Sequence, residues 1–114
     1  MTDRELWEIE RGFWTKGRAH YEAYFGKECL AAFPSPTGIM VGNSFVANLP
    51  ENGAWQDVEM TERAIARPSS DIAILAYRGI GKGDGEARSS ICTSTYMNRD
   101  GWTLVQHQQT PVDE

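Results

Sequence analysis

The side chains that titrate near neutral pH in this 114-residue chain are its two histidines, and tyrosine hydroxyls could support them as hydrogen-bond donors. His107 is the first candidate. An imidazole titrates close to neutrality and can act as general base or acid beside a hydroxyl. If Asp100-Gly101 closes a two-residue hairpin, His107 faces Ser94 across a strand pair, with Cys92 and Tyr96 along the same face. That set describes a proton shuttle, with Tyr96 or Tyr24 as the hydrogen-bond donor. A His satisfied by a neighbouring Ser or Thr is the plainer alternative. No acid stands in line to orient it, so a nucleophilic triad is not expected.

The other candidates are weaker. His20 sits amid aromatics on a short helix and reads as packing. The two histidines lack partners at zinc spacing, and neither a metal nor a cofactor is expected. Cys29 and Cys92 make no disulfide framework and read as buried thiols of a reducing compartment. Arg78 falls in line with the inward face and could pair a ligand carboxylate at a pocket mouth; a solvent-exposed guanidinium is the alternative. Trp14, Tyr21, Tyr24, Trp55 and Tyr96 would line an apolar hollow with hydroxyl and indole N–H groups at its rim, unless such large side chains fill it. Gly79-Ile80-Gly81-Lys82-Gly83-Asp84-Gly85 resembles a phosphate loop only in composition. Gly83 follows the lysine where Ser or Thr is needed, and a strand follows the loop instead of a helix. It reads as a hairpin turn.

Elements must bring these residues together. Thr2-Asp3-Arg4-Glu5 has the form of a capping box, so a helix starts near residue 3. Leu6, Ile9 and Phe13 recur at helical spacing, and Trp7 and Trp14 broaden the stripe. Lys16-Gly17 predicts a corner, with Gly in the left-handed conformation that ends a helix. A short helix carrying His20, Tyr21, Tyr24 and Phe25 follows, stopped by Gly26. Cys29 to Phe33 reads as a strand, Gly38 to Val41 as a brief return, and Asn43-Ser44 as the start of a turn or two ending at Pro50. Val58 and Met60 alternate with Asp57, Glu59 and Thr61 in a half-wet strand, bent at Thr61-Glu62-Arg63 and stopped at Pro68-Ser69-Ser70.

Asp71 to Thr110 then forms a three-stranded antiparallel meander. With Gly83-Asp84-Gly85 as the first turn, Ala76 faces Cys92 and Ile74 faces Ser94. With Asp100-Gly101 as the second, Tyr96 faces Val105. The inward face would carry Ile72, Ile74, Ala76, Arg78, Cys92, Ser94, Tyr96, Val105 and His107. The outer face would carry Leu75, Tyr77, Ile91, Met97, Trp102 and Leu104. A slip of one residue in either loop exchanges the faces beyond it. Both faces are apolar, so a helix layer covers one and a second copy of the chain is the simplest cover for the other.

Composition bounds the rest. One domain, 1–114, of this length buries about two-thirds of its unfolded surface. Hydrophobics at 40% and charges at 24% are those of a soluble globular chain. A net charge of −5, with scattered basic residues, disfavours nucleic acid and anionic membranes. No apolar run reaches a membrane span, and Met-Thr-Asp-Arg-Glu is no signal peptide, which makes a cytoplasmic location the expectation.

The order helix, Gly corner, short helix, short strands and long meander, ending in Arg99-Asp100-Gly101-Trp102-x-Leu104-Val105-x-His107-x-x-Thr110-Pro111, resembles the nuclear transport factor 2-like superfamily. Its small SnoaL-like single-domain members of unknown function are the most similar. The resemblance implies an α+β cystatin-like roll, a curved antiparallel sheet around a long N-terminal helix with a conical pocket between them, and a homodimer through the outer sheet face. Ketosteroid-isomerase-like members use a Tyr and two acids, a set not placed here because Asp57, Glu59 and Glu62 alternate on a solvent-facing strand. The expected function is binding of a small apolar or aromatic molecule by Trp14, Tyr21, Tyr24, Trp55, Arg78, Cys92 and Ser94. The alternatives are an isomerase, cyclase or dehydratase using His107 with Tyr96, or a structural dimer with a filled cone.

Overall fold

The structure, a computed structural model, describes residues 1–112. Helix α1 (Asp3–Thr15) begins at the predicted capping box, with Thr2 and Glu5 each holding the other's backbone N–H. A helix this short is marginal alone, and its cap is worth about 1 kcal/mol. Burying Leu6, Ile9 and Trp14 against the sheet contributes about 1.5–3 kcal/mol for each large apolar side chain. Packing therefore holds the helix and capping only sets where it starts.

Helix α2 (Arg18–Tyr24) leads directly into β1 (Phe25–Ala32), which begins ahead of Gly26, the predicted stop. Gly17 is a corner, but not a left-handed one, since its φ is −100°. It must be glycine because a Cβ there would meet the Glu51 carbonyl oxygen at 2.1 Å. Next come β2 (Ile39–Val41) and a short 3-10 helix, Ser44–Asn48. Three long strands follow them in sequence: β3 (Asp57–Ser69), β4 (Ile72–Lys82) and β5 (Arg88–Asn98). The last strand is β6 (Trp102–Pro111).

All six strands form one curved sheet, in the order β2-β1-β6-β5-β4-β3. Neighbours are antiparallel except β1 and β6, which run parallel. The architecture is α+β, with α1 on the concave face. One edge, β3, carries charged side chains and Pro68, features that discourage edge pairing. The proline lies within the strand, which an edge position tolerates. The bend expected at Thr61-Glu62-Arg63 is a register shift, with Glu62 at a φ of 53°.

The meander departs from the expected register in two places. Gly81 pairs with Arg88, so the first connection is longer than Gly83-Asp84-Gly85. Tyr77 therefore faces Cys92 and Leu75 faces Ser94, and Ala73, Leu75 and Tyr77, with Gly79 and Gly81, are the buried residues of β4. Ile72, Ile74, Ala76 and Arg78 lie on the other face, the reverse of the expectation. The second loop has three residues, since Asn98 pairs with Trp102, and this shift puts Tyr96 opposite Leu104 rather than Val105. A bulge between Thr95 and Tyr96 then restores the register, and Ser94 faces His107 as expected. The second-loop shift and the bulge cancel before reaching His107, while the β4–β5 displacement persists along the whole pair.

The glycine-rich stretch is also partly strand. Gly79 and Gly81 belong to β4, and a Cβ on them would strike the rings of Trp14 at 2.7 Å and Trp55 at 2.6 Å. These glycines are bare backbone on which two indoles lie.

Candidate functional site

Helical spacing explains the centre of the site. Glu10 lies four residues after Leu6 and four before Trp14, on the same buried stripe of α1, and is 1% exposed. An unsatisfied carboxyl there would cost several kcal/mol. Three hydroxyls from the sheet meet it instead. Tyr77 on β4 donates to Oε2 at 2.5 Å, Ser94 on β5 donates to Oε2 at 2.8 Å, and Tyr96 on β5 donates to Oε1 at 2.6 Å. The Trp14 indole N–H donates in turn to the Tyr77 oxygen at 2.9 Å. The alternation of the strands aims Tyr77, Ser94 and Tyr96 at one point under the helix.

His107 adjoins this cluster. Its Nδ1 lies 2.7 Å from Ser94 Oγ and 3.7 Å from Glu10 Oε2. Its Nε2 lies 3.1 Å from the side-chain amide oxygen Oε1 of Gln109, and its ring packs on Phe33 with centroids 5.4 Å apart. The sequence offered no acid for His107, yet Glu10 is that acid. It reaches the imidazole through Ser94. This is not the order of a nucleophilic triad, in which the imidazole stands between hydroxyl and acid.

Beyond His107 is a chamber of about 140 Å³. Phe13, Trp14, Tyr21, Phe25, Phe33 and Trp55 form most of its wall with Ala54 and Leu104, and His107 and Gln109 supply side-chain polar groups facing its aromatic wall. Trp14, Trp55 and Gln109 also border a larger outer hollow that contains Arg88, Ser89 and Ser90. Of the residues expected to line a pocket, Trp14, Tyr21 and Trp55 do so. Cys92, Ser94 and Tyr96 are inward but completely buried behind the wall. Tyr24 packs on His20, away from the chamber. Arg78 is on the outer face, where its Nε donates to Glu62 at 2.8 Å, so it cannot meet a ligand in this chamber. His20 closes the gap between the helices, with Nε2 2.8 Å from the Ile9 carbonyl.

Burial sets the acid–base character of the surroundings. Desolvation, reinforced by the Glu10 charge, pushes the Tyr77 and Tyr96 phenols well above their ordinary range. The same causes, in the same order, raise Tyr21 and the Cys29 and Cys92 thiols to about 12. These groups keep their protons at neutral pH, and the three phenols donate hydrogen bonds, Tyr21 to the Phe13 carbonyl and Tyr77 and Tyr96 to Glu10. Burial lowers His20, against the opposing pull of the Ile9 carbonyl.

No family profile matches the chain, and no curated protein matches it. Solved structures do. A ketosteroid isomerase candidate from Parabacteroides distasonis superposes with a TM-score of 0.77 at 14% identity, covering 95% of this chain and 86% of that one. An NTF2-like protein of unknown function from Prochlorococcus marinus gives 0.73 at 16% identity, covering 100% and 96%. The association domain of C. elegans CaMKII gives 0.72 at 14% identity, covering 94% and 90%. These similarities define the class: the chain has the nuclear transport factor 2-like fold. At such identities they carry the architecture and leave the chemistry to the site itself.

Proposed function

We propose that this chain is a small-molecule-binding module that holds an apolar or aromatic molecule between helix and concave sheet, with the molecule's polar end toward His107 and Gln109. The chamber carries this reading: aromatic walls on most sides and an imidazole and an amide among them. Its 140 Å³ is below the ~300 Å³ where drug-sized pockets begin. It is close to the ~150 Å³ cavity that accepts benzene, so the ligand is a single ring or its equivalent. Native mass spectrometry of the purified protein, with an amide-shift screen of benzoate, benzamide and phenol, tests this. Binding that shifts residues around Trp55, His107 and Gln109 is expected. No co-purifying molecule and no response from these residues would leave a filled structural core as the better description.

A second reading, proton transfer on the bound molecule, is favoured by one observation: a carboxyl, a hydroxyl and an imidazole in series behind the chamber wall. Here His107 would be the catalytic residue, and Tyr96 would act through Glu10 rather than on the substrate.

The module is also proposed to self-associate through the outer sheet face, where Ile74 and Ile91 remain more than a third exposed. Hub and association domains among similar structures fit this. Sedimentation should give a dimer for the native chain and a monomer for Ile74→Glu with Ile91→Glu. A native monomer would remove the proposal. Two reduced, buried cysteines fit a cytoplasmic location, and none of the described helices is long and apolar enough to cross a membrane.

A further inference from the structure

We propose that Glu10, Ser94 and His107 form a proton relay joining the buried floor of the fold to the chamber wall. It rests on the reading of the chamber as the site, and it says how that site handles protons.

The argument is a count of hydrogens. Ser94 has one hydroxyl proton and is completely buried, yet its Oγ is within bonding distance of both Glu10 Oε2, at 2.8 Å, and His107 Nδ1, at 2.7 Å. One proton cannot serve two acceptors, so one flank must bring its own. In the first arrangement Ser94 donates to a Glu10 carboxylate and Nδ1–H donates to Ser94. In the second a Glu10 carboxylic acid donates to Ser94, and Ser94 donates to a bare Nδ1. The Gln109 side-chain oxygen Oε1 facing Nε2 calls for a proton on that nitrogen in both.

Two coordinated hops convert the second arrangement into the first. The Glu10 O–H bond breaks as a Ser94 O–H bond forms, and the original Ser94 O–H bond breaks as an Nδ1–H bond forms. Atoms and charge balance within the three residues. When Nε2 gives its proton to a molecule in the chamber, Glu10 replaces it at Nδ1, leaving a neutral ring and a carboxylate. Proton return from the ligand runs the sequence backwards. His107 is the member of the relay that reaches the chamber, while Glu10 and Ser94 are positioning residues. A ligand oxygen that gains or loses a proton, as in a carboxylic acid or phenol on one ring, matches this wall.

The other titratable groups around the relay leave its proton count alone. Tyr77 on β4 and Tyr96 on β5 donate to Glu10. Cys92 on β5, Cys29 on β1 and Tyr21 on α2 keep their protons at neutral pH. His20 on α2 is turned to the Ile9 carbonyl.

The test follows the Glu10 carboxyl carbon and both His107 ring nitrogens by NMR through a pH titration of the ligand-free protein. In the native chain the three signals should shift together at every step. In Ser94→Ala, Glu10 and His107 should shift separately. Independent shifts in the native protein overturn the relay, and so does joint movement that survives unchanged in Ser94→Ala. If that variant does not fold, the native titration decides. Because no ligand is present, failure of the ligand screen would sink the binding reading without altering these signals.

Discussion

Glu10 gathers three sheet hydroxyls under the helix, and its removal should show it. Glu10→Ala leaves the Tyr77, Ser94 and Tyr96 hydroxyls without their common acceptor. Stability in urea should fall by about 3 kcal/mol or more. Glu10→Gln, which keeps one carbonyl oxygen, should fall less. Equal and negligible losses would mean that the cluster is ornamental. His20 predicts a pH effect of definite sign. Burial holds its folded-state pKa below the ordinary 6.5, so on acidification the unfolded chain takes up the proton first. This contribution is complete above 6.5 and is lost as pH falls through the lower, folded value. Melting temperatures at pH 7.5 and 5 should differ by less in His20→Gln than in the native protein. Glu10 was visible in the sequence only as one acid on an apolar stripe. Its place in the middle of that stripe, between Leu6 and Trp14, was the signal the sequence held, but the three donors that satisfy it come from strands whose register the sequence did not give.

At the scale of elements, β4 is tightly constrained, because Trp14 and Trp55 lie on its glycines. Gly81→Ala would place a methyl within 2.6 Å of the Trp55 ring. The indole must move, at a cost of about 1–3 kcal/mol, seen as a lower urea midpoint and an altered near-ultraviolet dichroism of tryptophan. An unchanged spectrum would mean that Trp55 is already free to swing. Most elements were legible in the sequence: both helices and the bend at Glu62 fall close to where pattern and punctuation place them, while β1 begins at Phe25 rather than Cys29 and β4 runs on through Gly81. Register was not. A side-chain period of two makes each strand read equally well in either phase, and loop length was ambiguous in a glycine-rich run. Arg78 and Tyr77 consequently exchanged faces, and Arg78 left the list of site residues. His107 kept its neighbour Ser94 only because a three-residue loop and a bulge shift the register in opposite directions.

For the whole molecule, the buried thiols and phenols predict alkaline fragility. Cys29 and Cys92 rise from 9.0 to about 12, and Tyr21 from 10.0 to about 12, while Tyr77 and Tyr96 also rise. Groups raised on folding stabilise fully below their unfolded values. That stabilisation is lost as pH climbs from about 9 through the folded values, since the unfolded chain releases those protons first. Circular dichroism should show urea midpoints steady to about pH 9 and falling steeply above it. Thiol reagents should find neither cysteine until the chain unfolds. A midpoint unchanged at pH 11, or fast labelling of the native chain, would contradict the burial on which the core rests.

Trp14 and Trp55 stand 6.5 Å apart, and both border the chamber. Their excited states are therefore sensitive to whatever lies between them and His107. Intrinsic emission, with no dye or label attached, becomes a direct gauge of occupancy. An arriving ring should quench or recolour that light in proportion to the sites filled. With Trp55→Phe only the Trp14 share of the response should remain.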